Sequence, residues 1–174
     1  MVLFVSYLFT FLLAFSPATK EQKQFFKALR AKEGQSYTGT ATVHPPGNTS
    51  IAGKELKLFI QKVSGDSIRV PFWVGDNKSR TLLLTLHKKQ GLSLKHDHRH
   101  ADGSPETMTM YGGFADTSGN ALRQSFPADA HTSQLSPRNA TSVWTIEFSP
   151  DKTHLTYTLR TNNELVYQLD FEQD

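Results

Sequence analysis

From Gln35 to the C-terminus, apolar residues recur at every second position in short runs. Leu56, Leu58 and Ile60 share one face, as do Ile68, Val70, Phe72 and Val74, then Leu82, Leu84 and Leu86, then Leu92 and Leu94. The pattern returns in Trp144, Ile146 and Phe148, in Leu155, Tyr157 and Leu159, and in Leu165, Tyr167, Leu169 and Phe171. A period of two places alternate side chains on opposite faces of a strand, so each run predicts a strand with one buried face. Turn-forming pairs and triplets separate the runs, among them Ser64-Gly65-Asp66, Gly75-Asp76-Asn77, Gln90-Gly91, Ser149-Pro150-Asp151 and Asn162-Asn163. About ten strands result, and with no helical pattern between them the connections are hairpins rather than βαβ crossovers. Many short antiparallel strands must hide their edges. Closure of residues 35–174 into one up-and-down β-barrel, calycin-like in form, does so most completely; a two-sheet β-sandwich is the alternative.

Upstream of Gly34 the period is 3.6. Thr19-Lys20-Glu21-Gln22 has the form of a capping box, and Phe25, Phe26 and Leu29 fall on one face of the helix that it opens. The spacing predicts an amphipathic segment over residues 19–34, helical from Lys20 to Glu33 and ended by Gly34, that plugs one end of the barrel. Its Lys20, Lys23, Lys27, Arg30 and Lys32 form a solvated face. Val2 to Phe15 carry no charge, and small residues follow in Ser16-Pro17-Ala18, the pattern of a signal peptide spanning residues 1–18 with cleavage after Ala18. An uncleaved anchor is the competing reading, because no Lys or Arg precedes the apolar run. Cleavage implies a periplasmic or secreted protein with no remaining membrane contact.

Composition narrows the chemistry. The 174 residues include no cysteine, which excludes disulfide scaffolds, thiol catalysis and Cys-ligated metal centres. A formal charge of +3 is too small and too dispersed for a nucleic-acid binder. No Gly-x-Ser-x-Gly elbow, phosphate-cradling loop or dinucleotide fingerprint is present.

The most unusual stretch is Leu92-Ser93-Leu94-Lys95-His96-Asp97-His98-Arg99-His100, which holds three of the seven histidines. If it is extended throughout, His96, His98 and His100 continue the apolar face of Leu92 and Leu94 and point into the barrel near its mouth. Inward imidazoles there suit a small ligand, with Tyr111 on the next strand, or a divalent transition metal such as Zn, Cu or Ni. His96 and His100 lie roughly 13 Å apart along a strand, so one ion takes a neighbouring His-x-His pair and needs a further ligand. Candidates are Asp102 and Glu106, then His131, His154 and His87. The same imidazoles also suit a plain polar layer or a proton-sensitive switch. Downstream, Ser104 to Gly113 reads as the next strand, with Met108 and Met110 on one face, whereas Phe126 to Thr132 reads as a loop. Arg69, Arg80, Arg99 and Arg123 are candidate anion contacts, with plain surface residues the default.

Ser79-Arg80-Thr81, the run Leu94–Ser104 (LKHDHRHADGS), Met110–Gly113 (MYGG) and Phe126–Asp129 (FPAD) together resemble an uncharacterised group of bacterial exported proteins. That resemblance implies export and brings no activity. Gly91, His96, His98 and Glu106 are similar to part of the first cupin motif, although the first gap is a residue short and Glu106 falls later. This second resemblance implies a metal-dependent enzyme with Asp102 or Glu106 as ligand or general base. Three functions therefore stand side by side: an exported β-barrel that binds a small molecule or metal ion through its histidines, a structural or interaction domain with a filled barrel, and a cupin-like metalloenzyme.

Overall fold

A computed structural model describes residues 16–174, so the expected signal peptide lies outside the described residues except for its last three positions. The capping box forms as the sequence predicts. Thr19 Oγ1 accepts from Gln22 N, the Gln22 side chain accepts from Thr19 N, and the helix α1 (Lys20–Arg30) follows. It stops three residues before the expected Glu33, because Lys32 and Glu33 donate to carbonyls only three residues back and Gly34 turns at φ 83°. No helix among the described residues is long and apolar enough to cross a membrane.

Eleven strands among the described residues form one antiparallel sheet: β1 (Ser36–Val43), β2 (Leu56–Phe59), β3 (Gln61–Lys62), β4 (Ser67–Val74), β5 (Asn77–His87), β6 (Gly91–His98), β7 (Tyr111–Phe114), β8 (Arg123–Pro127), β9 (Val143–Phe148), β10 (His154–Thr161) and β11 (Glu164–Gln173). Both β2 and β3 pair with β4, so they act as one strand bent at Ile60. Neighbours in space are neighbours in sequence, and β1 pairs with β11 to bring the first and last strands together. The sheet is nearly closed into an up-and-down barrel, which rules out the two-sheet sandwich.

The remaining gap lies between β7 and β8, the two ends of the paired order, and isolated backbone bonds bridge it. Asp116 N donates to Ser125 O at 3.0 Å, and Asp129 N to Gly112 O at 2.9 Å. Gly112 and Gly113 make this approach feasible: a Cβ on Gly113 would lie 1.8 Å from Pro127 O, and Gly112 has φ 137°. Thr132 Oγ1 sits 2.7 Å from both Gly112 N and Gly112 O, and Asp129 pairs with Lys95 across the same seam.

Two segments depart from the expected pattern. Residues 104–110 are not a strand, since Met110 takes φ 57° and strand pairing starts only at Tyr111. Residues 126–132 are not a plain loop: they hold the end of β8 and a short helix, α2 (Ala130–Leu135), capped by Asp129.

The core follows the period-two faces. Leu58, Ile60, Ile68, Val70, Leu82, Leu84, Leu92, Leu94, Ile146 and Leu155 fill the part of the barrel nearer α1. That helix drives Phe25, Phe26 and Leu29 into this end, with Phe25 against Phe148 at 5.9 Å between ring centroids. Each buried side chain of this size contributes about 1.5–3 kcal/mol. Gln22, buried in the same contact, accepts from Leu92 N and donates to the carbonyls of Ala115 and Asp116. One end of the barrel is thereby closed.

Candidate functional site

Toward the other end the inward residues change character. Along β6, Leu92 and Leu94 give way to His96 and His98; along β5, Leu84 and Leu82 give way to Arg80. The register sets Leu82 opposite His96 and Arg80 opposite His98. Tyr111 on β7 pairs with His96, while Trp144 on β9 lies opposite Leu159 on β10. These side chains surround a cavity of about 360 Å3, room for about a dozen water molecules at roughly 30 Å3 each. Its mouth is edged by Ser50 and Ile51 of the β1–β2 loop, by Met108, and by Arg138 and Asn139 of a 3₁₀ turn (Pro137–Asn139). Asn48 donates to Tyr167 Oη and holds the β1–β2 loop against the rim.

His96 is the centre of the wall. Its Nδ1 lies 3.1 Å from Tyr111 O and its Nε2 2.7 Å from Tyr157 Oη. A carbonyl only accepts, so Nδ1 carries the proton and Nε2 accepts from the Tyr157 hydroxyl. The imidazole is 5% exposed, and burial pushes its pKa down to about 3, so it is neutral. It stacks on the Tyr111 ring at 4.4 Å and 9°, with Trp144 at 5.2 Å. Burial raises Tyr111 to about 12 and Tyr157 well above 10, so both remain hydroxyl donors.

His98 lies nearer the mouth. Its Nε2 is 3.1 Å from Tyr111 Oη, and its Nδ1 is 3.8 Å from Glu106 Oε2. Burial, and then the Arg80 charge, hold its pKa below the usual imidazole value.

The structure brings together His96, His98, Tyr111 and, at the margin, Glu106. It does not bring in His100 or Asp102. Strand β6 ends at His98, and His100 is an exposed turn residue whose N bonds to Ser104 O. Asp102 is exposed and spends its carboxylate on Ser104 N and Oγ. Of the other candidates, His131 is exposed, His154 pairs with Glu172, and His87 faces away from the interior toward Ser93 Oγ. The expected metal set of His96, His98, His100, Asp102 and Glu106 is therefore not assembled. Among the described residues no three His, Asp or Glu side chains are grouped to hold an ion. Both His96 nitrogens are already engaged, and Gly91 lies at the α1 end beside Gln22, so the cupin-like spacing does not gather its residues into one site.

Sequence reasoning missed Trp144, Tyr157 and Tyr167 as wall residues because they sit on apolar faces that read simply as core. It also left Arg80 on the surface, although the parity of Leu82 and Leu84 already placed it inside. No protein-family model and no curated protein matches this chain.

Proposed function

We propose that this protein is an exported binding barrel that holds a small organic molecule in the cavity lined by His96, His98, Tyr111, Trp144 and Tyr157. The observation that carries the reading is the open space itself. Small barrels either fill with side chains or keep room for one ligand, and this one is packed near α1 and hollow toward His98. The volume and the lining, mostly apolar and aromatic with a few convergent polar groups, are those of a small-molecule site. A filled structural domain accounts for the packed end and gives no role to the hollow one. Export rests on the uncharged run Val2 to Phe15 and its small-residue ending.

The test uses N-phenyl-1-naphthylamine, an uncharged dye that fluoresces in apolar surroundings, with Leu159→Trp as a variant that fills the cavity. Saturable binding at one dye per chain, abolished in Leu159→Trp at an unchanged melting temperature, supports the reading. Absence of saturable binding to the native protein overturns it in favour of a structural domain.

A further inference from the structure

We propose that the cavity takes a small organic anion, with an apolar ring-bearing body and a single carboxylate or sulfonate head, and that Arg80 receives the head. The inference rests on the cavity being a ligand site and goes on to name the ligand's chemistry.

The other arginines in or beside the barrel strands make the contrast: Arg160 on β10 is exposed and donates to Asn163 O, and three pair with carboxylates. Arg69 pairs with Asp97 at 3.3 Å, Arg99 with the same carboxylate at 2.9 Å, and Arg123 with Glu147 at 3.5 Å. Arg80 has no such partner among the described residues. It faces inward, between Phe72 and His98 in the strand register, and its Nη1 is buried without a hydrogen-bond partner. A guanidinium cannot shed its proton to escape this position, and an unpaired charge in the interior is costly. Its planar fork matches a carboxylate or sulfonate.

The rest of the lining agrees. Among the described residues, Arg138 at the mouth is the other formal charge that lines the cavity, and no aspartate or glutamate does. Glu106, an acid beside the site, lies 3.8 Å from His98 Nδ1. Deeper in, the stacked His96–Tyr111 pair and the Trp144 ring offer flat surfaces to a planar body. A cationic rim over an aromatic floor selects a molecule with its charge at one end.

The experiment compares 2-naphthoate with its neutral isostere 2-naphthamide by titration calorimetry on the native protein and on Arg80→Met. One charge-assisted pair is expected to favour the naphthoate on the order of ten- to a hundredfold in native protein. Arg80→Met removes that preference, lowering the naphthoate affinity by much more than the naphthamide affinity, whose carbonyl accepts at most a neutral-acceptor bond from the guanidinium. Its melting temperature should not fall, since the side chain gives up no polar partner; if this variant fails to fold, Arg80→Gln takes its place. Equal affinities in native protein, or a preference that survives loss of the guanidinium, overturn the proposal. If neither naphthyl compound binds although N-phenyl-1-naphthylamine does, the anion assignment alone falls. If the dye also fails, the cavity reading falls with it.

Discussion

A neutral imidazole held inside an apolar barrel makes stability depend on pH in a way that can be calculated. His96 titrates at about 3 in the folded chain against 6.5 for a free imidazole, with burial the first cause. The unfolded chain therefore takes up a proton that the native state refuses, so stability falls as pH drops below the unfolded value and continues to fall until the folded value is reached. Between pH 7 and pH 5 this one group removes about 2 kcal/mol, a large part of an ordinary domain's margin. His98, shifted in the same direction, adds to the loss.

Urea unfolding of native protein and of His96→Gln at the two pH values isolates the effect. Glutamine keeps an amide donor for Tyr111 O and a carbonyl acceptor for the Tyr157 hydroxyl but has no proton to take up. The native protein should lose about 2 kcal/mol more than the variant between pH 7 and pH 5, whatever the variant's absolute stability. The carboxylates with lowered pKa lie below this window and cancel in the comparison. Equal losses in both proteins would refute the placement of a neutral His96 in the barrel.

Two further outcomes bear on how the barrel is closed. Gly113→Ala forces a Cβ into Pro127 O and should open the β7–β8 seam, at a cost above about 2 kcal/mol in thermal unfolding; a change below about 0.5 kcal/mol would mean that the strands do not approach so closely. Gln22→Ala removes one arm of the capping box and the bonds to Leu92, Ala115 and Asp116, and should cost about 2 kcal/mol with faster amide exchange along α1. Unchanged exchange would show that the Phe25, Phe26 and Leu29 contacts alone hold the helix.

The strands were legible because a barrel with one packed interior forces every run to declare its inward face, and one-residue slips would turn Ile68, Val70 and Phe72 into solvent. The capping box was legible for a similar reason, since its two bonds join residues three apart. Where the chain relies on single backbone angles, the pattern was silent. Met110 at φ 57° ends what alternation alone extends through residues 104–110, and α2, at six residues, is too short to show a helical period. The seam depends on tertiary approach between β7 and β8, which nothing local to Gly112-Gly113 reveals beyond the glycines themselves.

The site shows the same division between parity and termination. Period two placed His96 and His98 inside correctly, yet it carried His100 along with them, because alternation does not say where a strand stops. The bond from His100 N to Ser104 O turns the chain away two residues after His98 and removes the third imidazole. The same parity, applied from Leu84 and Leu82 to the next position, places Arg80 inside opposite His98. A lone arginine in sequence reads as surface, and what distinguishes this one is a buried Nη1 with no hydrogen-bond partner on an inward side chain, whereas Arg69, Arg99 and Arg123 reach carboxylates. Loss of His100 and gain of Arg80 together change the chemistry of the mouth. A trio of imidazoles would offer lone pairs to a cation, whereas two neutral imidazoles already committed to tyrosines, beside a permanent positive charge, offer the approaching molecule a place for negative charge.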